Sequence, residues 1–171
     1  MMKKILKGIS ELAIQSGYSQ YLTEQKESKW LGNYPAKVED IEYAEEKLGI
    51  KLPQDYRDFL LLTNGFAATS NYTEPRFEAI ENVDYLVKID SFMVATWNQK
   101  GLEDIGKELA RSILIGGIEE EQYFLIIPPQ SPNSYWKYWK FASWIPGEYP
   151  FKNLLAYFTS VLKNMEDRGE V

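Results

Sequence analysis

Hydrophobic positions along the chain follow two periods, and these divide it into helices, strands and connectors. Helical spacing comes first at Ile5, Ile9 and Leu12, with Lys3, Lys4 and Lys7 off that stripe; it predicts an amphipathic helix over 2–15. Residues 17–35 show no period and read as a loop or connector, tied to the body by Trp30 and Tyr34. Ile41, Ala44 and Leu48 then share one helical face, while Glu39, Glu42, Glu46 and Lys47 fall elsewhere. Gly49 suits the left-handed residue just past a helix end. Ile50 and Leu52 alternate about Lys51, and Pro53 both keeps Leu52 extended and suits the first turn of a new helix. Tyr56, Phe59, Leu60 and Thr63 recur at helical spacing, and Asn64-Gly65, both tolerant of positive φ, end that helix. The result is a helical hairpin.

The second half switches towards period two. Residues 66–75 are rich in Ala, Thr, Ser and Asn and read as an exposed loop. Phe77 to Ile80 alternate and predict a short strand. Over 83–92 two patterns compete: Tyr85-Leu86-Val87 favours a strand, while Val83, Leu86 and Val87 fit one helical face. Leu102, Ile105 and Leu109 predict a helix. Ser112 to Ile115 carries the unbroken apolar run of a buried strand, and Gly116-Gly117 permits a turn that puts Glu119, Glu120 and Glu121 near a hairpin tip. Tyr123 to Ile127 returns as a strand that Pro128-Pro129 ends. In the next strand Tyr135, Lys137, Trp139 and Phe141 share one face, and Trp136, Tyr138 and Lys140 the other. Residues 144–150 read as a turn region; Phe151, Leu154, Leu155, Phe158 and Leu162 predict a closing helix; 165–171 read as a frayed tail. The fold class is α+β: a single domain with an antiparallel sheet packed against helices, an N-terminal helical hairpin and a C-terminal helix.

The order of residues in the hairpin carries more than its periodicity. Glu45-x-x-Leu48-Gly49-x-x-Leu52-Pro53-x-x-Tyr56-x-x-Phe59-Leu60-x-x-x-Asn64-Gly65 closely resembles the N-terminal signature of the SUKH superfamily. Looser matches follow at Ser112 to Gly116, at Tyr123-Phe124-Leu125 and in the aromatic C-terminal helix. The superfamily includes bacterial immunity proteins and the fungal regulator of cell-wall glucan synthesis. The resemblance implies a division into an N-terminal helix and connector (1–35), a SUKH-like domain (36–165) and a tail (166–171). It implies structural roles for the signature residues, and it carries activity by association only.

Composition narrows the chemistry. The chain has 171 residues, enough for one domain with a core. It contains neither Cys nor His, so disulfides, thiol catalysis, Ser-His-Asp triads and His-containing zinc sites are excluded. No apolar run approaches the roughly 20 residues of a membrane span. The N-terminal stretch is amphipathic rather than a continuous signal-peptide core. These readings lead to the expectation of a cytoplasmic protein. The net charge of −6 is uneven: residues 71–125 hold 11 Asp and Glu against 5 Lys and Arg, and the remainder balance at 14 of each. That argues against nucleic acid as the ligand and permits a cationic partner.

Candidate chemistry is sparse. Glu119, Glu120 and Glu121 are suitable hard ligands, but consecutive strand residues alternate sides and no calcium-loop pattern surrounds them, so a solvated tip is the expectation. Glu45-Glu46 adjoins the core, where a capping or hydrogen-bonding role fits Glu45 better than acid–base work. Trp136, Tyr138, Trp139 and Trp144 crowd one segment; one face of this strand is assigned to the core, and Trp136 and Tyr138 form a candidate ligand patch. No enzyme, metal or cofactor is expected. The resemblance implies an immunity protein that binds a cognate toxin domain, in such systems often a nuclease, and blocks it. The expected interface has Glu74, Glu78, Asp84, Glu119, Glu120 and Glu121 at its rim and exposed aromatics at its centre. The alternative is a regulatory scaffold like the fungal regulator.

Overall fold

The computed structural model describes residues 1–17, 21–69, 74–142 and 148–168. The helices are α1 (Met2–Ser16), α2 (Thr23–Ser28), α3 (Val38–Leu48), α4 (Gln54–Leu62), α5 (Leu86–Ile89), α6 (Ser91–Trp97), α7 (Glu103–Ala110) and α8 (Leu154–Asp167). The strands β1 (Asp84–Tyr85), β2 (Ile113–Gly116), β3 (Gln122–Ile127), β4 (Lys137–Ala142) and β5 (Glu148–Phe151) form one antiparallel sheet in the order β1-β2-β3-β4-β5.

Pairing across this meander sorts the side chains. Leu114 lies opposite Leu125, and Leu125 opposite Trp139; Ile113 lies opposite Ile126, Ile126 opposite Tyr138, and Tyr138 opposite Phe151. Directly opposed residues point to the same side. Ile113, Ile115, Phe124, Ile126 and Tyr138 therefore face the larger core, shared with α1, α3, α4 and α8. Leu114, Leu125, Ile127, Trp139 and Phe141 face a second core under α5, α6 and α7. Both faces are covered, which is why β2 and β3 read as continuous apolar runs rather than alternating ones.

The larger core is aromatic at its centre. Phe77 sits among Phe59, Phe124, Tyr157 and Phe158, with ring centroids 4.9–5.6 Å away. Phe77 belongs to a narrow backbone ribbon beside β2. Gly32 bridges to Phe66, Phe66 to Phe77, and Phe77 to Gly116, all antiparallel. Gly65 closes the turn that starts this ribbon at φ 98, and a Cβ there would lie 3.0 Å from the Phe77 carbonyl oxygen, so glycine alone fits.

Several local expectations change. The connector over 17–35 contains α2, a helix of 6 residues too short for an apolar stripe to show. Phe77 to Ile80 is not a strand: Phe77 makes single bridges, and a 3₁₀ turn covers Ile80–Asn82. The ambiguous stretch splits into β1, α5 and α6, so each competing pattern holds over part of it. Asn64 does not use positive φ: α4 stops at Leu62, Thr63 is extended at φ −158, and Asn64 acts through its side chain. Phe151 ends β5 instead of joining the closing helix, and Met165 is a buried residue of α8 instead of part of a frayed tail. Trp144, counted among the crowded aromatics, lies outside the described residues, as do parts of the loop over 66–75, the turn region over 144–150 and the tail.

Candidate functional site

Glu45, in the last turn of α3, is buried, and its carboxylate accepts from the Leu52 amide at 2.9 Å, from Lys51 Nζ at 2.7 Å and from Arg57. One carboxylate thus joins α3, the extended link and α4. Burial works to raise this carboxyl, but the bonds from Arg57, Lys51 and Leu52 outweigh it and hold it below the ordinary range. Asn64 is spent in the same way. Its Oδ1 accepts from the Ile80 amide at 2.7 Å and its Nδ2 donates to the Glu81 carboxylate at 3.1 Å, fastening the end of α4 to the 3₁₀ turn. Leu48, Leu52, Tyr56, Phe59 and Leu60 are all buried. Glu45 and Asn64 thus hold the hairpin, whereas the Tyr56 hydroxyl is buried without a hydrogen-bond partner among the described residues.

The acidic residues of the middle segment divide into paired and free. Glu78 is only 6 % exposed; it accepts from Arg76 Nε and from the Ile118 amide, each at 3.1 Å. Glu74 pairs with Lys140 at 3.0 Å and accepts from the Tyr157 hydroxyl at 2.8 Å. Asp84 stands apart from both, bonded to Lys47 at 3.1 Å and Lys88 at 3.0 Å. Compensated charges of this kind brace the structure and attract little. The turn between β2 and β3 differs. Gly117 (φ 89) and Glu119 (φ 63) both adopt left-handed backbone. Glu120 folds back, its carboxylate accepting from the Arg76 amide at 3.1 Å. Burial raises the Glu120 carboxyl, Arg76 pulls against that, and the charge of Glu78 adds to the rise. Glu119 and Glu121 are exposed and make no ion pair among the described residues.

The aromatic patch expected at Trp136 and Tyr138 is a correction. Tyr138 is 4 % exposed and its hydroxyl donates to Asp55 at the start of α4; Asp55 also accepts from the Leu154 amide at 3.1 Å. Burial, then Asp55, pushes the Tyr138 phenol well above its usual value. Trp136 is partly buried against the same core. The expectation assumed that one face of this strand stays open, but α4 and α8 cover it. Tyr34 departs from expectation in the opposite sense: it is 83 % exposed rather than packed on the body, while Trp30 does pack edge-on to Phe66 at 5.7 Å.

Tyr34 and Trp30 line an open groove of about 600 Å³ with Leu22, Pro35 and Leu62, bordered by Lys3, Glu24 and Asn33. The hydrophobic pattern gave no sign of it, because the groove is assembled from a connector, a short helix and the end of α4. An unperiodic segment holding one Trp and three Tyr was the signal available. Among the described residues no cluster of acidic side chains is placed to hold a metal ion, and no helix is long and apolar enough to cross a membrane. The arrangement offers contact surface and charge.

A family model described as the SMI1/KNR4 family (SUKH-1) matches residues 35–162. No curated protein matches the chain.

Proposed function

The chain belongs to the SMI1/KNR4 family, SUKH-1, and from that premise we propose that it is a cytoplasmic immunity protein that neutralises a cognate toxin domain by direct binding. Membership supports an immunity-type or regulatory protein in broad terms. The observation that carries the finer reading is the division between inward and outward polar groups. Glu45 and Asn64 are used within the fold, whereas Glu119 and Glu121 are exposed on the β2–β3 turn and make no ion pair among the described residues. A protein so built acts through its surface. The unpaired carboxylates favour a basic partner, and toxin domains that handle nucleic acid are basic where they hold phosphate. Occlusion of such a surface needs binding alone, with no chemistry on the immunity side.

The test starts from the neighbouring gene: where it encodes a protein with a toxic C-terminal domain, that domain is co-expressed with the chain. The chain restores growth, and the purified pair associates with a rate that falls steeply between about 0.1 M and 1 M salt, as the Debye length shrinks from about 10 Å to about 3 Å. Failure both to rescue and to bind sinks the reading. Stable association with several non-toxic proteins instead would make it a regulatory scaffold.

A further inference from the structure

The groove at Leu22, Trp30, Tyr34 and Leu62 leaves large apolar side chains facing water. Leu22 is 69 % exposed and Tyr34 more so. Exposed apolar surface gathered around a concavity marks a contact site, unlike single hydrophobes scattered over a surface. Two polar features give the groove direction. The Tyr34 hydroxyl donates to Glu24 at 3.4 Å, and the Trp30 indole N–H meets no acceptor among the described residues. The groove is closely packed at its floor: a Cβ on Gly32 would lie 2.6 Å from the Trp30 indole nitrogen and 2.3 Å from the Thr63 hydroxyl oxygen.

The fold sets this groove beside the acidic turn. The ribbon steps from Gly32 to Phe66, Phe77 and Gly116, and Gly116 leads directly into the turn. Three steps at the usual strand spacing of about 4.8 Å separate Gly32 from Gly116 by about 15 Å. A standard interface of about 800 Å² per partner is wider than that distance. Carboxylates on this side are Glu24 at the groove wall, Glu81 held on Asn64, and Glu119 and Glu121, which make no ion pair among the described residues; the cations are Lys3 at the groove mouth and Arg76, which is held by Glu78 and Glu120 beside the turn.

We infer that the groove and the β2–β3 turn form one docking surface for a basic protein, whose projecting aliphatic or aromatic side chain fills the groove while its cations lie over Glu119 and Glu121. The inference deepens the toxin-binding reading and rests on it for the partner's identity. An apolar anchor in a groove governs dissociation, and rim charges govern association, so the two parts separate kinetically. Trp30 supplies an N–H to a partner carbonyl, which fixes the orientation of the inserted segment.

Two measurements on the full chain test this. In the first, binding to the toxin domain that the chain neutralises on co-expression is followed for Leu22→Ala and Tyr34→Ala, both at exposed positions. Dissociation is expected to speed up about tenfold or more, with association little changed. Glu119→Lys with Glu121→Lys is expected to slow association instead. Wild-type dissociation rates in both groove variants would overturn the docking surface while leaving the toxin reading intact. In the second, the ¹⁵N-labelled chain is titrated with the peptide acetyl-Lys-Lys-Leu-Pro-Pro-Leu-Lys-Lys-amide. The Trp30 indole signal, one of 5 such signals and assigned with Trp30→Phe, should move together with the amides of 119–121. Movement there without any toxin binding would remove the toxin and keep the surface. Shifts elsewhere, or none, would remove the surface.

Discussion

At the scale of single residues, two buried side chains, Glu45 and Phe59, fasten the hairpin by different means. Glu45 is a buried carboxylate whose partners differ in exposure: Arg57 is mostly covered, while Lys51 is largely in solvent and adds little. Glu45→Ala leaves the Arg57 guanidinium and the Leu52 amide without their acceptor, and about 3 kcal/mol of stability should be lost at neutral pH. The sign of the pH dependence follows from the lowered folded pKa. The stabilisation is fully present above the ordinary carboxylate value of 4.5 and is lost as pH falls through the lower folded value. Urea unfolding of wild type and Glu45→Gln should therefore differ most at pH 7 and draw together as the pH is taken down below the ordinary carboxylate range; a gap independent of pH would contradict the ion-pair account. Phe59 is fully buried and stacked against Phe158 at 5.6 Å. Phe59→Ala should cost about 3–5 kcal/mol through lost burial and a cavity. A loss under about 1 kcal/mol, well below that core range, would show that the hairpin is not the organising core.

At the scale of elements, the second layer is held where α6 and α7 cross closely. Gly106 lies inside α7, where alanine would ordinarily gain about 1 kcal/mol from helix propensity. Here the added Cβ would sit 2.6 Å from the Trp97 carbonyl oxygen and 2.8 Å from the Asn98 Cα, both backbone atoms that cannot swing away. Gly106→Ala should destabilise instead, by about 1–3 kcal/mol, as α7 is pushed off Trp97 and the sheet. A drop in melting temperature of roughly 2–4 °C per kcal/mol is the expected reading. A rise would mean that the layer is loosely packed. The first layer has a comparable fastening at the start of α8. Asn153 accepts from the Ala156 amide at 2.8 Å and Asp55 from the Leu154 amide at 3.1 Å, so two side chains from different elements satisfy its first free donors.

At the scale of the molecule, the electrostatic prediction is separable from stability. Glu119 and Glu121 are exposed and make no ion pair among the described residues, so Glu119→Lys with Glu121→Lys should move the melting temperature by little, with surface changes usually within about 0.5 kcal/mol. The same pair of substitutions should slow association with a basic partner, and most strongly at low salt. Stopped-flow association across a salt series, alongside a thermal melt, checks both halves. Equal association rates at every salt concentration would leave the acidic turn as a solubility feature. Reversing Glu78 instead should unfold part of the ribbon, since that carboxylate holds Arg76 and the Ile118 amide internally.

Local order along the chain was enough to identify the hairpin, the apolar runs of β2 and β3, α7, the closing helix and the family signature. Each of these depends on residues close in sequence, where period and capping chemistry act directly. Short elements escaped it: α2, β1 and α5 are too brief to show a period, and the Phe77 ribbon is held by single bridges to segments far along the chain. Which acidic residues remain free was also beyond a one-dimensional count, because Glu74, Glu78 and Asp84 find their cations through the fold. The fate of Tyr138 turned on whether one sheet face was open, and only the packing of α4 and α8 decided that. The groove at Trp30 and Tyr34 exists because three unrelated segments meet. Burial and ion pairing are properties of neighbours in space; periodicity reports only neighbours in sequence.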